Sequence, residues 1–325
     1  MEFHIKILLL TFAISTILAL IIIPILKKLK VGQIERDDGP KSHLKKQGTP
    51  TMGGIIIALS IFIVCIFLYI IYLNKEPEVA KNIIPLMLVT VGFGLVGFVD
   101  DFKKLVLKNT DGLKPLYKMA GLLIIAVVYT LFLTNILKIG TDIFIPFIKI
   151  YINIPIWLYI PFAIFVMLGT TNAVNLTDGI DGLATSVTTI ILAFFTIVGI
   201  MFGVKEVVIV GACLVGANIA FLIFNLHPAK VFMGDTGSLL LGGAIAGLAL
   251  YLKMPIILVI VALVPVIETI SVMMQVLYFK KTGKRIFKMA PLHHHFELSG
   301  WSENKVVSIF SILTLILSII AICAV

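Results

Sequence analysis

The sequence places Asn172-Ala-Val-Asn175-Leu-Thr-Asp178-Gly-Ile-Asp181-Gly182 at the junction of two long apolar runs, 155–174 and 183–204, neither of which contains a charged residue. A run of about 20 apolar residues is long enough to cross a bilayer as a helix. An ionised carboxylate drawn into the hydrocarbon costs about 2.5–3.5 kcal/mol on insertion scales. We therefore expect this stretch to lie at the water boundary of a membrane protein, where its amides and carboxylates are available for chemistry.

The composition supports a membrane protein. Of the 325 residues, 60% are hydrophobic and only 13% are charged, and the mean hydropathy is +1.13, outside the range of soluble globular proteins. A net charge of +9 is compatible with a nucleic-acid partner, but basic residues that flank apolar runs more often set membrane orientation, so we expect no nucleic acid. Cys65, Cys213 and Cys323 stand singly within apolar runs, which predicts neither disulfides nor a thiolate metal site.

Ten apolar runs are long enough to span the hydrocarbon, so the sequence predicts an all-α polytopic membrane protein with about ten transmembrane helices in a single domain, residues 1–325. The runs are 7–26, 51–73, 83–99, 119–137, 155–174, 183–204, 207–226, 237–252, 254–279 and 306–325. The eighth run is short, and the ninth is long and contains Pro265, so we expect the ninth either to kink or to continue past the bilayer into the cytoplasm. The first run is followed by lysines and not by a small-residue cleavage site, so we expect a spanning helix rather than a signal peptide.

The basic residues predict the orientation. Most of the 26 lysine and arginine residues lie in the segments 27–50, 100–118, 227–236 and 280–305. By the positive-inside rule these segments are cytoplasmic and both termini are outside, which collects the candidate site residues at the cytoplasmic face of the plasma membrane. On the other side, the segment 138–155 alternates polar and β-branched residues, which predicts a small external β-hairpin.

Two nucleotide-binding patterns can be assessed from their context. Gly92-Phe-Gly94-Leu-Val-Gly97 matches the dinucleotide fingerprint letter for letter, but it lies inside a spanning run with no preceding strand. We therefore assign these glycines to close helix packing and not to a nicotinamide cofactor. No Walker-type phosphate loop occurs in the sequence, so ATP hydrolysis has no support either.

Val99-Asp100-Asp101 ends the third span with two adjacent carboxylates. Acidic residues at a helix C-terminus oppose the helix dipole, so a bound cation or a basic partner is a better explanation than a merely solvated helix end. Lys104 and Lys118 are candidates both for that partner and for binding a substrate phosphate.

Asp178 and Asp181 stand where the sixth span begins. They fit either an N-cap with its capping box, or a ligand site in which two aspartates three residues apart face one way beside glycines. Asn172 and Asn175 add neutral donors to the second alternative. Asn225, near the cytoplasmic end of the seventh span, points toward the same region.

Phe232-Met-Gly234-Asp235-Thr-Gly-Ser238 begins the eighth span. The free amides and the positive dipole end of a helix N-terminus hold phosphate oxygens. Asp235 would repel such a phosphate unless a hard cation lay between them, and magnesium takes one or two carboxylates together with substrate phosphates. We therefore predict a Mg²⁺ ion on Asp235, with a simple N-cap as the alternative.

The last internal segment contains His293-His294-His295. Consecutive side chains diverge on a helix, so at most one or two of them can contact a substrate, and a zinc site lacks further ligands. Glu268 and Gln275, seven residues apart on the ninth span, share a helix face. We expect them either to line the same cavity or to form buried structural hydrogen bonds.

The segment 41–54 is basic and leads into the second span. Alone it would be a collar for lipid headgroups. With the other internal segments it forms the remaining wall of a cytoplasmic pocket, to which Lys46 and Thr51 contribute.

In this order along the chain, the segments 41–54, 99–101, 172–182, 232–238 and 290–301 resemble those of the polyprenyl-phosphate N-acetylhexosamine-1-phosphate transferases, and the resemblance covers essentially the whole chain. Ala290-Pro-Leu-His-His-His-Phe-Glu297, followed by Gly300-Trp301, is particular to the muramoyl-pentapeptide branch of that family. The resemblance implies transfer of phospho-MurNAc-pentapeptide from UDP-MurNAc-pentapeptide to undecaprenyl phosphate, with release of UMP and with Mg²⁺ as cofactor. A sister transferase that uses another UDP-N-acetylhexosamine and, in a different class, a secondary transporter are the alternatives.

The resemblance also implies roles for the candidate residues. Catalysis falls to Asp100, Asp101, Asp235 and His294, of which Asp235 is also the metal ligand. Substrate binding falls to Lys46, Thr51, Lys104, Lys118, Asn172, Asn175, Asp178, Asp181, Asn225, Phe232, Gly234, Ser238, Gln275, His293 and His295. The implied partners are the two substrates and the lipid bilayer, and a homodimer is compatible with the sequence.

Overall fold

The computed structural model describes residues 3–29, 46, 48–105 and 112–325. The helices are α1 (Phe3–Lys28), α2 (Gly54–Leu73), α3 (Pro77–Leu105), α4 (Pro115–Leu131), α5 (Ile156–Thr177), α6 (Leu183–Phe202), α7 (Lys205–Asn225), α8 (Gly234–Tyr251), α9 (Leu258–Val261), α10 (Leu263–Thr282), α11 (Leu292–Glu297) and α12 (Glu303–Ala324). A π-helical turn, Phe132–Ile136, extends α4, and a 3-10 turn, Pro255–Ile257, precedes α9. The strands β1 (Asp142–Ile145) and β2 (Ile150–Asn153) form an antiparallel hairpin.

The long apolar runs form helices because a segment in hydrocarbon must satisfy its backbone hydrogen bonds internally. Within the described residues, nine helices are long and apolar enough to cross a membrane, namely α1 to α7, α10 and α12, with the π-helical turn included in the fourth. The predicted eighth span coincides with α8, which is not among these nine. The chain is therefore a multi-pass helical protein, and the number of ten spans stays a prediction.

α8 lies at the centre of the bundle. Every residue from Thr236 to Tyr251 is buried, and α2, α3, α5 and α6 pack around the helix. A helix that is apolar on all sides is suited to such a position. The start of α8 at Gly234 contacts the beginning of α2 and residues near the ends of α3 and α5.

Glycines allow α3 and α8 to pack closely. A Cβ atom at Gly97 would overlap the carbonyl oxygen of Asp235, and one at Gly243 would lie 2.6 Å from the Phe93 ring. This packing confirms the assignment of the 92–97 glycines to helix packing. It also joins the backbone of α3 directly to the first turn of α8.

The predicted ninth span, 254–279, is interrupted and not continuous. The backbone leaves helical geometry at Ala262 (φ −102°, ψ 23°), which separates α9 from α10. Pro265 is the third residue of α10, where a missing amide hydrogen costs no intrahelical bond. The helix then continues to Thr282, beyond the predicted end.

The hairpin predicted for 138–155 is confirmed, with Asp142 paired to Asn153 in the register of β1 and β2. Phe144 N donates to Lys253 O at 2.8 Å, and Lys253 Nζ lies 2.9 Å from Asp142 Oδ2. Lys253 follows the last turn of α8, so the hairpin lies about 25 Å from Gly234 along the helix axis. We call these two ends of the bundle the hairpin end and the site end.

Candidate active site

Two carboxylates and two ammonium groups meet at the site end. Asp100 lies in the last turns of α3, and Asp235 lies in the first turn of α8. Lys104 Nζ is 2.8 Å from Asp100 Oδ2 and 2.9 Å from Asp235 Oδ2. Lys118 Nζ is 3.3 Å and 2.8 Å from the same two oxygens. The expectation that Lys104 and Lys118 are the partners of this negative charge is confirmed.

Asp101, the neighbour of Asp100, caps α8 from α3. Its carboxylate accepts hydrogen bonds from Asp235 N (3.2 Å), Thr236 N (2.9 Å) and Thr236 Oγ1 (2.7 Å). The N-cap residue Met233 makes no side-chain capping bond, so Asp101 satisfies amides that the helix start leaves without partners. The alternative in which Asp235 is a simple N-cap is therefore wrong. Two of the amides expected to hold phosphate are already bound to Asp101.

The other oxygen of Asp235 is bound by an amide side chain from α5. Asn175 Nδ2 donates to Asp235 Oδ1 at 2.7 Å and lies 2.8 Å from Ser238 Oγ. Ser238 in turn donates to Gly234 O at 3.0 Å. The structure thus brings Asn175 and Ser238 to Asp235, as the sequence predicts, and fixes the rotamer of the Asp235 carboxylate.

The turn 178–182 differs from the predicted geometry. Asp178 is the C-cap residue of α5, and α6 begins only at Leu183, after Gly182 in the left-handed conformation (φ 77°). Both versions of the expectation for Asp178 and Asp181, a capping box and a shared face of a helix start, are therefore wrong. The physical reason is the left-handed backbone at Gly182, which separates both aspartates from the helix.

Asp178 lies in an acidic environment. Burial raises the pKa of its carboxyl group to about 8, with further contributions from the negative charges of Asp235, Asp101 and Asp181. The group therefore keeps its proton at neutral pH. A cation bound close to these aspartates would oppose this effect and favour the ionised form.

Asp181 belongs to an ion-pair group with residues from three other segments. Lys46 Nζ lies 2.7 Å from Asp181 Oδ1 and 2.6 Å from Glu303 Oε2. His227 Nδ1 is 2.9 Å from Asp181 Oδ2, and Ala229 N donates to the same oxygen at 3.0 Å. Burial opposes ionisation of Asp181, but the Lys46 ammonium, the Ala229 amide and the His227 ring together hold the pKa of Asp181 below its usual range.

His227 and Glu303 are site-end residues that the sequence analysis did not identify. His227 belongs to no motif, and an acidic residue in the first turn of α12 is explained by the helix dipole alone. Ligand atoms of Asp181, His227 and Glu303 lie within 4.8 Å of one another, a spacing that a metal ion could use. The Lys46 ammonium already bridges Asp181 and Glu303, so we assign this cluster to an ion-pair group.

His293 is completely buried at the junction of α10 and α11. Its backbone amide donates to Glu268 Oε1 at 3.1 Å, and its Nδ1 lies 3.3 Å from Glu268 Oε2. The opposite edge of the ring packs against Gly179, where a Cβ atom would overlap Nε2. The ring is enclosed in this structure, and the expected substrate contact of His293 stays a prediction. Glu268 holds α11 against α10, which removes the main feature that favoured a transporter.

His294 and His295 face other directions, as expected for consecutive helical residues. His294 Nδ1 is 2.9 Å from Glu297 Oε2. His295 Nδ1 accepts a hydrogen bond from a backbone amide of the segment before α11 (3.1 Å). Gln275 donates to Phe287 O at 3.1 Å and accepts from the Phe287 amide at 3.0 Å, which agrees with the alternative of structural hydrogen bonds. Its contact with a substrate stays a prediction. Within the described residues, none of the three histidines belongs to a three-ligand metal cluster.

The loop before α2 pairs with the loop before α8. Gly53 N donates to Phe232 O at 2.8 Å. Gly234 has a φ of 73°, and a Cβ atom there would lie 2.6 Å from Asp101 Oδ2 and 3.0 Å from Thr51 Oγ1. A side chain at position 234 would thus displace the carboxylate that caps α8. Thr51 and Gly234 thus lie beside Asp101, and Phe232 pairs with the loop before α2.

Two predicted substrate-binding amides are occupied elsewhere. Asn172 Nδ2 donates to Leu168 O in its own helix (2.7 Å). Asn225 is buried, accepts from Thr185 Oγ1 (2.6 Å) and donates to Val231 O (3.0 Å). In this structure the Asn172 amide group bonds within its own helix and Asn225 joins neighbouring segments, so substrate binding by these two residues stays a prediction. Residues 41–45 and 47 of the predicted basic wall lie outside the described residues.

The donor set suits a hard divalent cation. Asp100 and Asp235 offer carboxylate oxygens, which are the ligands that Mg²⁺ prefers. The Asp235 side chain is 17% exposed, so it is accessible from the site end. The residues fit a Mg²⁺ ion on Asp235 if at least one of the two lysines moves away from the carboxylate.

Known proteins are similar to this chain over nearly its whole length, including the segments that form the candidate active site. The profile described as glycosyl transferase family 4 matches residues 83–253, and signature 1 of phospho-N-acetylmuramoyl-pentapeptide-transferase matches residues 46–57. The chain is 49% identical to the phospho-N-acetylmuramoyl-pentapeptide-transferase of Acetivibrio thermocellus over 98% of this chain and 94% of that protein. The enzymes of that name from Clostridium perfringens strain 13 and Halalkalibacterium halodurans are 52% and 49% identical, over 96% and 97% of this chain and 95% of each relative. These matches confirm the resemblance that the motifs indicate.

Proposed function

The chain belongs to the phospho-N-acetylmuramoyl-pentapeptide-transferases of glycosyl transferase family 4, and we propose that it transfers phospho-MurNAc-pentapeptide from UDP-MurNAc-pentapeptide to undecaprenyl phosphate and releases UMP. The observation that carries this proposal is the sequence identity with enzymes of that name, which is 49–52% over nearly the full length of the chain. The product is a lipid-linked pyrophosphate for peptidoglycan synthesis. The reaction breaks one pyrophosphate bond and forms another, so it needs no ATP.

The proposed setting is the plasma membrane, with ten spans, both termini outside and the site end in the cytoplasm. The distribution of lysines and arginines along the sequence supports this orientation, because most of them lie in the segments 27–50, 100–118, 227–236 and 280–305. In this proposal α8 is the eighth span along the chain and brings the number of spans from nine to ten. A homodimer is a prediction from the resemblance alone, and light scattering of the purified protein tests it.

Magnesium is the proposed cofactor. When bound on Asp235, Mg²⁺ would neutralise charge on the pyrophosphate of the nucleotide sugar. Asn175 and Ser238 orient the Asp235 carboxylate, and Asp101 positions the first turn of α8 that carries it. Asp101 therefore acts in this proposal by holding Asp235 in place, while Asp100 is the carboxylate that faces the lipid phosphate.

The nucleophile is the phosphate of the lipid carrier. The second pKa of a phosphate monoester is about 6, so at neutral pH the group is already largely the dianion. A general base is helpful but not indispensable, and we favour direct in-line attack over a phospho-aspartate intermediate. Lys104 and Lys118 neutralise the phosphoryl oxygens, and Asp178, Asp181 with Lys46, and His294 place the nucleotide sugar. Trapping of a phosphorylated protein from labelled UDP-sugar without lipid phosphate would contradict direct attack.

UMP release by the purified protein tests the function. We expect release with UDP-MurNAc-pentapeptide and undecaprenyl phosphate only when Mg²⁺ is present, and loss of more than about 100-fold for Asp235→Ala. Asp142→Asn, a carboxylate at the hairpin end, is the matched control and should retain the wild-type rate. A magnesium-independent reaction, or an Asp235→Ala variant as active as wild type, would refute the mechanism. Exclusive use of UDP-GlcNAc would instead identify a sister transferase.

A further inference from the structure

The two lysines at the site end occupy the position that a bridging cation would take. Lys104 Nζ and Lys118 Nζ each contact Asp100 Oδ2 and Asp235 Oδ2, at distances between 2.8 and 3.3 Å. Both ammonium groups therefore share one oxygen from each carboxylate. A divalent ion that bridges Asp100 and Asp235 would require the same two oxygens.

The local charges explain why these lysines are there. The Asp100 side chain is only 3% exposed, and a buried carboxylate without a partner is strongly unfavourable. Asp101 is a third carboxylate and adds no positive charge; its oxygens bind the start of α8. Two ammonium groups against Asp100 and Asp235 make this set of four side chains neutral. A single metal ion with two positive charges supplies the same compensation as the two ammonium groups.

We propose that Lys104 and Lys118 act as replaceable counter-ions: they neutralise Asp100 and Asp235 while no metal is bound, and metal binding displaces Lys118 from both carboxylates and frees it for a phosphate group. Lys118 is the lysine to move, because it comes from α4 and its distance to Asp100 is the longest of the four, 3.3 Å. Lys104 shares α3 with Asp100, four residues away, and keeps its 2.8 Å contact.

The exchange has two consequences. Lysine and metal compete for the same carboxylate oxygens, so removal of Lys118 should tighten metal binding. After metal entry the carboxylates are neutralised by the metal, and the displaced ammonium is an unpaired positive charge beside it. Metal and a pyrophosphate group therefore bind with positive coupling. The exchange itself rests only on the ion pairs, and the identity of the phosphate group rests on the proposed function.

Binding of Mn²⁺ to the detergent-solubilised full chain, followed by electron paramagnetic resonance, tests the first consequence without any turnover. We expect Lys118→Met to bind Mn²⁺ about tenfold more tightly than wild type, because one competing charge is removed. Lys103→Met is the matched control on α3, since the described part of the chain shows no ion pair for Lys103, and its affinity should equal that of wild type. Lys118→Arg keeps the charge and should bind Mn²⁺ as wild type does.

Inorganic pyrophosphate is the probe for the second consequence. With saturating Mn²⁺, we expect its affinity for Lys118→Met to fall about tenfold relative to wild type and Lys103→Met. Mn²⁺ affinity of Lys118→Met that is equal to or weaker than that of Lys103→Met would overturn the exchange, as would absence of Mn²⁺ binding in every variant. Lys118→Arg is the control that shows whether substitution at position 118 by itself disturbs folding. If the variants show both binding effects but the wild-type protein releases no UMP, the proposed function is contradicted and the exchange still stands.

Discussion

Substitution of Gly97 by alanine tests whether close packing of α3 on α8 positions Asp235. Gly97 lies one turn before Asp101, and a Cβ atom at this position would overlap Asp235 O and lie 2.7 Å from Thr236 N. Both are backbone atoms, so no side chain can rotate out of the way. Cβ atoms essentially never approach other heavy atoms within 3.0 Å.

The start of α8 must therefore shift by about 1 Å, a displacement that typically lowers a catalysed rate by about 100-fold. That factor corresponds to about 2.7 kcal/mol of transition-state stabilisation. The same shift lengthens the bonds from Asp235 N and Thr236 N to Asp101, now 3.2 and 2.9 Å. Overpacking adds about 1–3 kcal/mol of destabilisation.

Gly92→Ala is the matched control on the same helix. Its Cβ atom would lie 3.3 Å from Ile125 Cγ2, a side-chain methyl group that needs to move by only a few tenths of an ångström. UMP release and thermal unfolding are measured for both variants in the same detergent. We expect a loss of about 100-fold for Gly97→Ala and less than about twofold for Gly92→Ala. If Gly97→Ala kept more than half of the wild-type rate, the argument that backbone packing positions Asp235 would be refuted.

Three further outcomes follow from the ion pairs. Lys46→Met removes the ammonium group that bridges the buried carboxylates of Asp181 and Glu303, and should lower the free energy of unfolding by about 3 kcal/mol in denaturant titrations. Lys46→Met combined with Asp181→Asn should recover part of that loss. The pKa of Asp178, about 8 in the folded chain, exceeds its ordinary value, so the folded state binds more protons and stability falls as pH rises from about 4 to 8. Asp178→Asn should flatten that fall in thermal midpoints measured between pH 5 and pH 9, and parallel curves for the two proteins would contradict the assignment. Asp142→Asn removes a partly exposed ion pair at the hairpin end and should change the free energy of unfolding by less than about 1 kcal/mol, a larger change indicating an unrecognised role for the hairpin.

The predicted site residues divide according to whether their partners are local. Lys104 pairs with Asp100 four residues away, a contact that helical spacing predicts. The capping of α8 by Asp101 spans 135 positions and depends on how α3 packs against α8. His227 and Glu303 join Asp181 across 46 and more than 100 positions, and neither residue belongs to a recognisable pattern.

Asn225, Gln275 and His293 show the limit of residue type as evidence for function. Each is a polar residue in an apolar region, which favours a ligand site and a structural hydrogen bond equally. The Asn225 and Gln275 side chains and the His293 backbone amide bind backbone or carboxylate groups of neighbouring segments. Both ring nitrogens of His293 are buried without a hydrogen-bond partner among the described residues. Only the arrangement of the neighbouring helices distinguishes the two roles.

The sequence by itself determined that this chain is a multi-pass helical protein with a polar site at one end, because hydrophobic length and the positions of the charged residues are properties of the linear chain. It also identified the hairpin and the role of the 92–97 glycines, since both depend on short-range pattern. The tertiary structure decided which carboxylates share counter-ions, which aspartate caps α8 and where the 178–182 turn directs its side chains. Those outcomes depend on distances between helices that are far apart in sequence, and such distances follow from packing and not from spacing along the chain.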